Sequence, residues 1–228
     1  MSLGVSKSKA DSKIYFKVED GRPVIVPLYV DDMFLTRVYK LIVDAKRKLA
    51  TEFEMNHTRM MHYFLGMEVW QSTDGIFLGQ RKYAVEILKR FRMLYYKAMA
   101  TPMESNLKLL IDGTSKKVDA MMYRQMIGSL MYLTNTRPDI CFAVNTLSQF
   151  LTDPRHVHLI AAKHILRYLK GTMDYGIKYD VNQNINLHGY VDSYWEGSTT
   201  DKKKTSGCCF SLGYSRSLGL AGINHVLN

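Results

Sequence analysis

Two adjacent carboxylates, Asp31 and Asp32, lie between the apolar stretches at residues 24–30 and 33–35. Neighbouring negative charges repel each other, so such a pair normally needs a cation or a basic partner. Phosphoryl transfer gives the pair a purpose, because two Mg²⁺ ions about 3.5–4 Å apart stabilise the attacking and leaving oxygens. An isolated Asp-Asp pair is more often a solvated turn, but apolar strands on both sides favour a metal-binding pair at a hairpin tip.

Other metal-ligating side chains give weaker signals. Asp192 ends a strand-like stretch, where a lone aspartate is usually a solvated turn residue. His156, His158 and His164 fall close together in the sequence, but no cysteine or carboxylate completes a closed site around them. We therefore interpret the three histidines as surface residues.

A basic stripe, defined as Lys163, Arg167 and Lys170, falls at i, i+4 and i+7 of a predicted helix. It lies opposite the apolar positions Ala161, Ala162 and Ile165. Three cations on one face could follow a phosphate backbone, and the net charge of +10 favours a polyanionic partner. A solvated face of an amphipathic helix explains the stripe equally well. Four further cations could extend it: Lys82, Lys89, Arg90 and Arg92.

Period-two patterning and turn signals predict strands in three parts of the chain. Asp20-Gly21 and residues 72–75 are the clearest turns between strands. The predicted strands cover residues 14–19, 24–30, 33–36, 63–70, 76–80, 175–181, 185–192 and 206–213. The last fifteen residues carry no strong signal.

Helical periodicity predicts five helices, at residues 38–53, 84–91, 123–130, 140–151 and 154–171. Pro138 suits the first turn of the fourth helix. Asp153 and Pro154 suit the N-cap and first position of the fifth, which Gly171 ends. Thr101-Pro102 and residues 112–117 form a boundary loop. This order of elements predicts an α+β protein with at least two subdomains.

Composition narrows the class of protein. The 228 residues are 46% hydrophobic and 23% charged, as in soluble globular proteins. No apolar run reaches the roughly 20 residues that span a bilayer, and the N-terminus has no apolar signal core. Three cysteines, two of them adjacent, do not form a disulfide framework. We therefore expect a reducing, intracellular location, cytoplasmic or nuclear, and no membrane.

The sequence Tyr29-Val30-Asp31-Asp32 at a hairpin tip resembles the YxDD box of reverse transcriptases. Its surroundings resemble those of copia-type LTR-retrotransposon Pol polyproteins, collinearly from about residue 3 to 213. The matching segments are GVSKSKADSKIYF at 4–16, YFLGMEVW at 63–70, KYAVEILKRF at 82–91, ATPM at 100–103, YRQMIGSLMYLTNTRPDICFAVNTLSQF at 123–150 and HLIAAKHILRYLKGT at 158–172.

The resemblance implies three regions. Residues 1–103 resemble part of a reverse transcriptase palm, with the YVDD hairpin and a primer grip. Residues 104–174 resemble the helical thumb or connection region, and 175–228 the truncated start of an RNase H-like domain. The expected fold is α+β, a partial palm followed by helices and an RNase H-like β-hairpin.

The resemblance also implies roles for individual residues. Asp31 corresponds to a metal ligand and Asp32 to an auxiliary ligand, while Tyr29 and Val30 lie beside the substrate. Phe64, Leu65 and Gly66 belong to the hairpin that grips the primer. Asp192, followed by a turn-like segment at 202–207, corresponds to the first RNase H metal ligand.

Cofactors and partners follow from the same resemblance. The implied cofactor is Mg²⁺ or Mn²⁺, with weak binding expected in this chain. The implied partners are an RNA/DNA primer–template duplex, a dNTP in the intact ancestor and other Pol chains. The implied activity is RNA-directed DNA polymerisation by a nucleotidyltransferase.

Several positions depart from the family pattern. Arg37 replaces a glycine, and residues 56–59 and 192–197 differ from the usual motifs. In the family another catalytic aspartate lies upstream of the box, and further RNase H carboxylates lie downstream of residue 228. We therefore expect the chain to be inactive alone, and two alternatives stay open: a non-enzymatic nucleic-acid-binding remnant or a pseudogene product.

Overall fold

The computed structural model describes residues 5–19, 22–29, 32–33, 47, 51, 61–104, 115–181, 187–193, 206–212 and 224–227. The chain divides into two compact units, residues 1–60 and 61–228. Antiparallel strands and helices make up the described part, which is compatible with the expected α+β class. Among the residues that the structure describes, no helix is long and apolar enough to cross a bilayer.

The first unit contains one antiparallel sheet with the strand order β1-β2-β3-β4. The strands are β1 (Ser6–Lys7), β2 (Ile14–Glu19), β3 (Arg22–Tyr29) and β4 (Asp32–Met33). Both predicted hairpins are confirmed in register, since Glu19 pairs with Arg22 and Tyr29 pairs with Asp32. The predicted turn residues Asp20 and Gly21 lie outside the described residues. The predicted helix at 38–53 does too, apart from residues 47 and 51, which are helical.

The second unit begins with a sheet of strand order β5-β6-β7-β8. Its strands are β5 (Tyr63–Phe64), β6 (Met67–Ser72), β7 (Gly75–Gly79) and β8 (Gly176–Asp180). The predicted hairpin around residues 72–75 is confirmed. Because β8 pairs with β7, residues 176–180 extend this sheet. The predicted domain limits at 103 and 174 stay predictions.

The prediction of one continuous strand over 63–70 is wrong. The chain reverses at Leu65 and Gly66, so that Phe64 pairs with Met67. Both turn residues have positive φ, 46° for Leu65 and 75° for Gly66. Two positive φ angles are what a type I′ turn requires, and this turn matches the twist of the flanking strands. Residues 63–72 therefore form a second, tight hairpin.

Among the described residues of the second unit, four helices and a short 3-10 helix form the core. They are α1 (Arg81–Arg90), α2 (Ala120–Leu133), the 3-10 helix Pro138–Ile140, α3 (Cys141–Ser148) and α4 (His156–Gly171). Four of the predicted helices lie among the described residues, and each is confirmed with its ends within three residues of the prediction. Their apolar faces meet in one cluster, whose fully buried members include Ile87, Leu88, Tyr123, Ile127, Leu130, Leu147, Ile165 and Leu166.

The predicted start of α4 is two residues early, because Arg155 and not Asp153 is the N-cap. The Asp153 carboxylate accepts a hydrogen bond from the Arg155 guanidinium at 2.6 Å instead of capping the helix. This hydrogen bond lowers the pKa of Asp153. The Arg155 backbone N–H donates to His158 Nδ1 at 3.0 Å. An ion pair between residues two positions apart therefore occupies the carboxylate that was predicted to cap the helix.

A buried ion pair, together with its hydrogen bonds to Tyr168 and Thr172, joins the segment after α2 to the end of α4. The Arg137 side chain is 3% exposed and pairs with Asp139 at 2.6 Å. Arg137 also donates to the Thr172 carbonyl at 2.9 Å and to Thr172 Oγ1 at 2.7 Å. The Tyr168 hydroxyl donates to Asp139 at 2.8 Å, and burial together with this carboxylate raises the pKa of Tyr168 to about 12. The network fixes the helices that support the sheet.

The third sheet has the order β11-β10-β9. Its strands are β9 (Leu187–Ser193), β10 (Ser206–Leu212) and β11 (Asn224–Leu227). The first two were predicted from the sequence. The third falls among the last fifteen residues, where no strand was predicted.

Candidate functional site

The Asp-Asp pair lies at the end of the β3–β4 hairpin. Because Tyr29 pairs with Asp32, Val30 and Asp31 form the two-residue connection between the strands. Val30 and Asp31 lie outside the described residues, and Asp32 is described by its backbone alone. Tyr29 is 38% exposed, and Lys13 Nζ lies 4.7 Å from the centre of its ring. The register makes Asp32 the first residue of β4, and the position of Asp31 at the hairpin tip stays a prediction.

The donor set at this tip suits a hard divalent cation. Mg²⁺ binds carboxylate oxygens and needs only one or two of them when substrate phosphates supply the rest. Within the part of the chain that the structure describes, no three His, Cys, Asp or Glu residues form a group that could hold a metal ion. Asp31 is not among those residues, so its role as a ligand stays a prediction.

The turn at Leu65 and Gly66 is held from outside by a helix. The Tyr132 hydroxyl, at the end of α2, donates a hydrogen bond to the Leu65 carbonyl. A Cβ at Gly66 would overlap this hydroxyl and force it to shift, and the φ of 75° also favours glycine here. Leu65 is 44% exposed and Phe64 is half-buried. The three residues predicted as a primer contact therefore form a fixed, partly exposed turn.

Tyr132 was missed by the sequence reasoning. It lies inside the matching segment 123–150. The signal that could have identified it is a large aromatic side chain at an exposed position of the helix. Burial, then the neighbouring Tyr63 and Tyr83, raise the pKa of Tyr132. The hydroxyl therefore stays protonated at neutral pH and can donate to the turn.

An open cleft with a volume of about 360 Å³ adjoins this turn. Tyr63, Gly66, Tyr83, Glu86 and Tyr132 line it. The Tyr83 and Tyr132 rings meet edge to face, with centroids 4.8 Å apart and planes at 78°. Tyr63 is 53% exposed, so the cleft presents aromatic surface to solvent. We call this site the tyrosine cleft.

Buried polar residues tie the cleft to the core. Gln80, which precedes α1, accepts a hydrogen bond from Thr136 Oγ1 at 2.8 Å and donates to the Tyr132 carbonyl at 3.5 Å. Glu68 on β6 accepts from the Lys82 backbone N–H at 3.3 Å. These contacts join the sheet, α1 and α2 around the cleft, so its walls belong to different elements held in fixed positions.

The basic stripe lies on the side of α4 away from the core, as the helical spacing predicts. Ala161, Ala162 and Ile165 are buried opposite it. Lys163 is exposed, whereas Arg167 and Lys170 are half-buried. Arg167 Nε donates to the Lys97 carbonyl at 2.7 Å, which gives this residue a structural task. Lys163 is therefore the member best placed to meet a partner.

The expectation that the histidines are surface residues is wrong for two of them. His158 is fully buried, and its ring stacks on Phe150 with centroids 3.9 Å apart. His164 is 8% exposed, and its Nε2 lies 2.9 Å from the Thr101 carbonyl. Both lie on the inner face of α4, where each ring finds a hydrogen-bond partner. His156 is exposed, as expected.

Asp192 lies one residue before the end of β9, where it pairs with Gly207 of β10. The segment 202–207 leads into β10, which begins at Ser206. The structure describes Asp192 by its backbone alone. Its assignment as an RNase H ligand stays a prediction.

Comparison with known proteins gives a consistent picture. Residues 1–105 match the family model described as reverse transcriptase (RNA-dependent DNA polymerase). The chain is 38% identical over 219 residues to the retrovirus-related Pol polyprotein from transposon RE2 of Arabidopsis thaliana. It is 34% identical over 217 residues to that from transposon TNT 1-94 of Nicotiana tabacum. These alignments cover 94% and 90% of the chain but 15% and 16% of the relatives.

A shorter relative is similar over most of its own length. An uncharacterized mitochondrial protein of Arabidopsis thaliana is 37% identical over 187 residues, which are 82% of this chain and 78% of that protein. No solved structure matches the chain.

Proposed function

Since the chain belongs to the reverse transcriptase family found in the Pol polyproteins of copia-type retrotransposons, we propose that it contributes to RNA-directed DNA synthesis through two hairpins. The β3–β4 hairpin carries the catalytic carboxylates, and the turn at 64–66 holds the primer. The observation that supports the proposal is the pairing of Tyr29 with Asp32, which makes Asp32 the first residue of β4.

The proposed mechanism assigns one task to each element. Asp31 and Asp32 hold the metal ions, while Tyr29 and Val30 border the primer end and the incoming nucleotide. Bound Mg²⁺ or Mn²⁺ stabilises the attacking and leaving oxygens. Tyr132 fixes the primer-holding turn through its hydrogen bond to Leu65. Since two-metal transfer also needs ligands beyond Asp31 and Asp32, we propose that residues 1–228 alone bind metal weakly and do not extend a primer.

A chimeric polymerase tests this proposal. Residues 1–105 would replace the corresponding segment of the retrovirus-related Pol polyprotein from transposon RE2. We expect the chimera to copy an RNA template from a DNA primer. A chimera that folds, binds primer–template and makes no extended product would overturn the proposal.

The second candidate function is non-enzymatic binding of primer–template, favoured by the net charge of +10 and the exposed Lys163. Contacts to about four to six phosphates give a log–log salt slope of about −3 to −5. We expect the affinity of the chain for the duplex to fall about 60-fold to 1,000-fold between about 50 and 200 mM salt. Fluorescence anisotropy of a labelled RNA–DNA duplex measures this slope.

Charge reversal tests where the contacts lie. Lys163→Glu should weaken binding to the same degree for unrelated duplex sequences, because phosphate contacts carry no sequence information. Arg124→Glu, an exposed site on α2, serves as the control for net charge. An affinity that is flat across this salt range, or equal losses in the two variants, would refute binding by the stripe.

For the third region we propose that Asp192 is one ligand of an RNase H centre. Because its substrates would be nucleic acids, we also propose that the protein acts in the cytoplasm or nucleus. Two-metal hydrolysis needs several carboxylates around the ions. The polypeptide of residues 1–228 is therefore expected to leave the RNA strand of a labelled RNA–DNA hybrid intact in Mg²⁺. Cleavage that disappears in Asp192→Asn would show that a complete centre exists in this chain.

A further inference from the structure

We propose that the tyrosine cleft is a binding site for one unpaired nucleobase, at the end of the strand that the turn at 64–66 holds. The inference rests on the proposed function, in which this turn contacts the primer. It adds a second site, which binds a base by stacking, next to the turn that contacts the primer backbone.

The shape and lining of the cleft suit a flat aromatic ligand. Its volume of about 360 Å³ lies at the low end of the range for small-molecule sites. Tyr63 offers an exposed ring, and Tyr83 and Tyr132, whose rings meet edge to face, also line the cleft. Every nucleobase has a π-face, so stacking on tyrosine is strong and largely independent of sequence.

Polar groups at the cleft favour a base over an aliphatic side chain. Glu86 lines the cleft, and a carboxylate is the acceptor that suits the exocyclic amine of cytosine. Lys82 lies one turn earlier on α1, and its Nζ is 5.5 Å from the centre of the Tyr63 ring and 3.8 Å from Glu68. Its ammonium group therefore lies near a ring that lines the cleft and would pair with the phosphate of a bound nucleotide.

Gly66 connects the cleft with the turn at 64–66, which is the proposed primer contact. Gly66 lines the cleft and follows Leu65, whose carbonyl accepts from Tyr132. A strand whose backbone lies on the turn would thus place its unpaired terminal base between the tyrosines. A paired terminal base could not enter, because its Watson–Crick edge is bound to the template base and its inner face stacks on the next base pair.

Three labelled RNA–DNA duplexes that differ at one position test the inference. The primer 3′ end carries a paired cytidine, an unpaired cytidine or an unpaired abasic nucleotide. With the wild-type chain we expect the unpaired cytidine duplex to bind about tenfold more tightly than the abasic duplex. Tyr63→Leu, which keeps an apolar side chain without the ring, should reduce this ratio to about one.

Tyr95→Leu is the matched control, because Tyr95 is 92% exposed and does not line the cleft. It should keep the wild-type ratio, and circular dichroism should show both variants folded. Equal affinities for the cytidine and abasic duplexes, or a gain that survives in Tyr63→Leu, would overturn the inference. Salt-dependent binding of the paired duplex would still support the proposed function in that case, whereas failure to bind any duplex would refute both.

Discussion

Arg137→Met is expected to lower the free energy of unfolding of the second unit by about 3–5 kcal/mol. The Arg137 side chain is 3% exposed and its partner Asp139 is 22% exposed, so solvent screens the pair weakly. Removing the guanidinium leaves the Asp139 carboxylate without its cation and takes one of two donors from the Thr172 carbonyl, which keeps the Tyr175 backbone N–H. A buried charge that loses its partner costs more than the pair itself contributed.

Chemical denaturation followed by circular dichroism measures the change, and Arg81→Met is the matched control. Arg81 pairs with Asp174 at 2.9 Å, but the two side chains are 58% and 79% exposed. An exposed pair contributes only about 0–1 kcal/mol, so the control variant should stay close to wild type. In the double variant Arg137→Met/Asp139→Leu part of the loss should be recovered, since no charge is left unpaired. A loss in Arg137→Met no larger than in Arg81→Met would contradict the structural role of this network.

The sequence predicted those elements whose signals are local. The hairpins around Asp20-Gly21 and residues 72–75 follow from turn residues between alternating strands, and the helices follow from their apolar spacing. The reversal at Leu65 was missed because leucine rarely adopts a positive φ and gives no turn signal. The cap of α4 was misplaced because the Asp153 carboxylate accepts from the Arg155 guanidinium, a local side-chain contact that the apolar spacing does not encode.

The candidate site was predictable only where neighbouring residues in the sequence carry its motifs. Resemblance named the residues of the two hairpins, but Tyr132 acts through a hydrogen bond to a residue 67 positions away. The tyrosine cleft likewise brings together side chains from β5, α1 and α2, which no single segment of sequence reveals. His158 and His164 were misplaced because a helix that is buried on most of its circumference hides polar residues with partners.

Asp31→Asn in the chimera with residues 1–105 is expected to lower RNA-templated primer extension by at least about a thousandfold. Asparagine keeps the shape of the side chain but carries no charge, so the metal ion loses an anionic ligand. Several kcal/mol of stabilisation of the transition state depend on that ion. Asp32→Asn should cost less, because we assign Asp32 an auxiliary role. Neither change should weaken binding of the primer–template, since the hairpin backbone and the turn at 64–66 stay in place.

Primer extension on an RNA template, run with the chimera and its Asp31→Asn variant at equal duplex occupancy, tests the central claim most directly. Full-length product from the chimera, with none detectable from Asp31→Asn in Mg²⁺ or Mn²⁺, is the result that we predict. Extension by Asp31→Asn at a rate close to that of the unchanged chimera would contradict the claim that this hairpin carries the catalytic carboxylate.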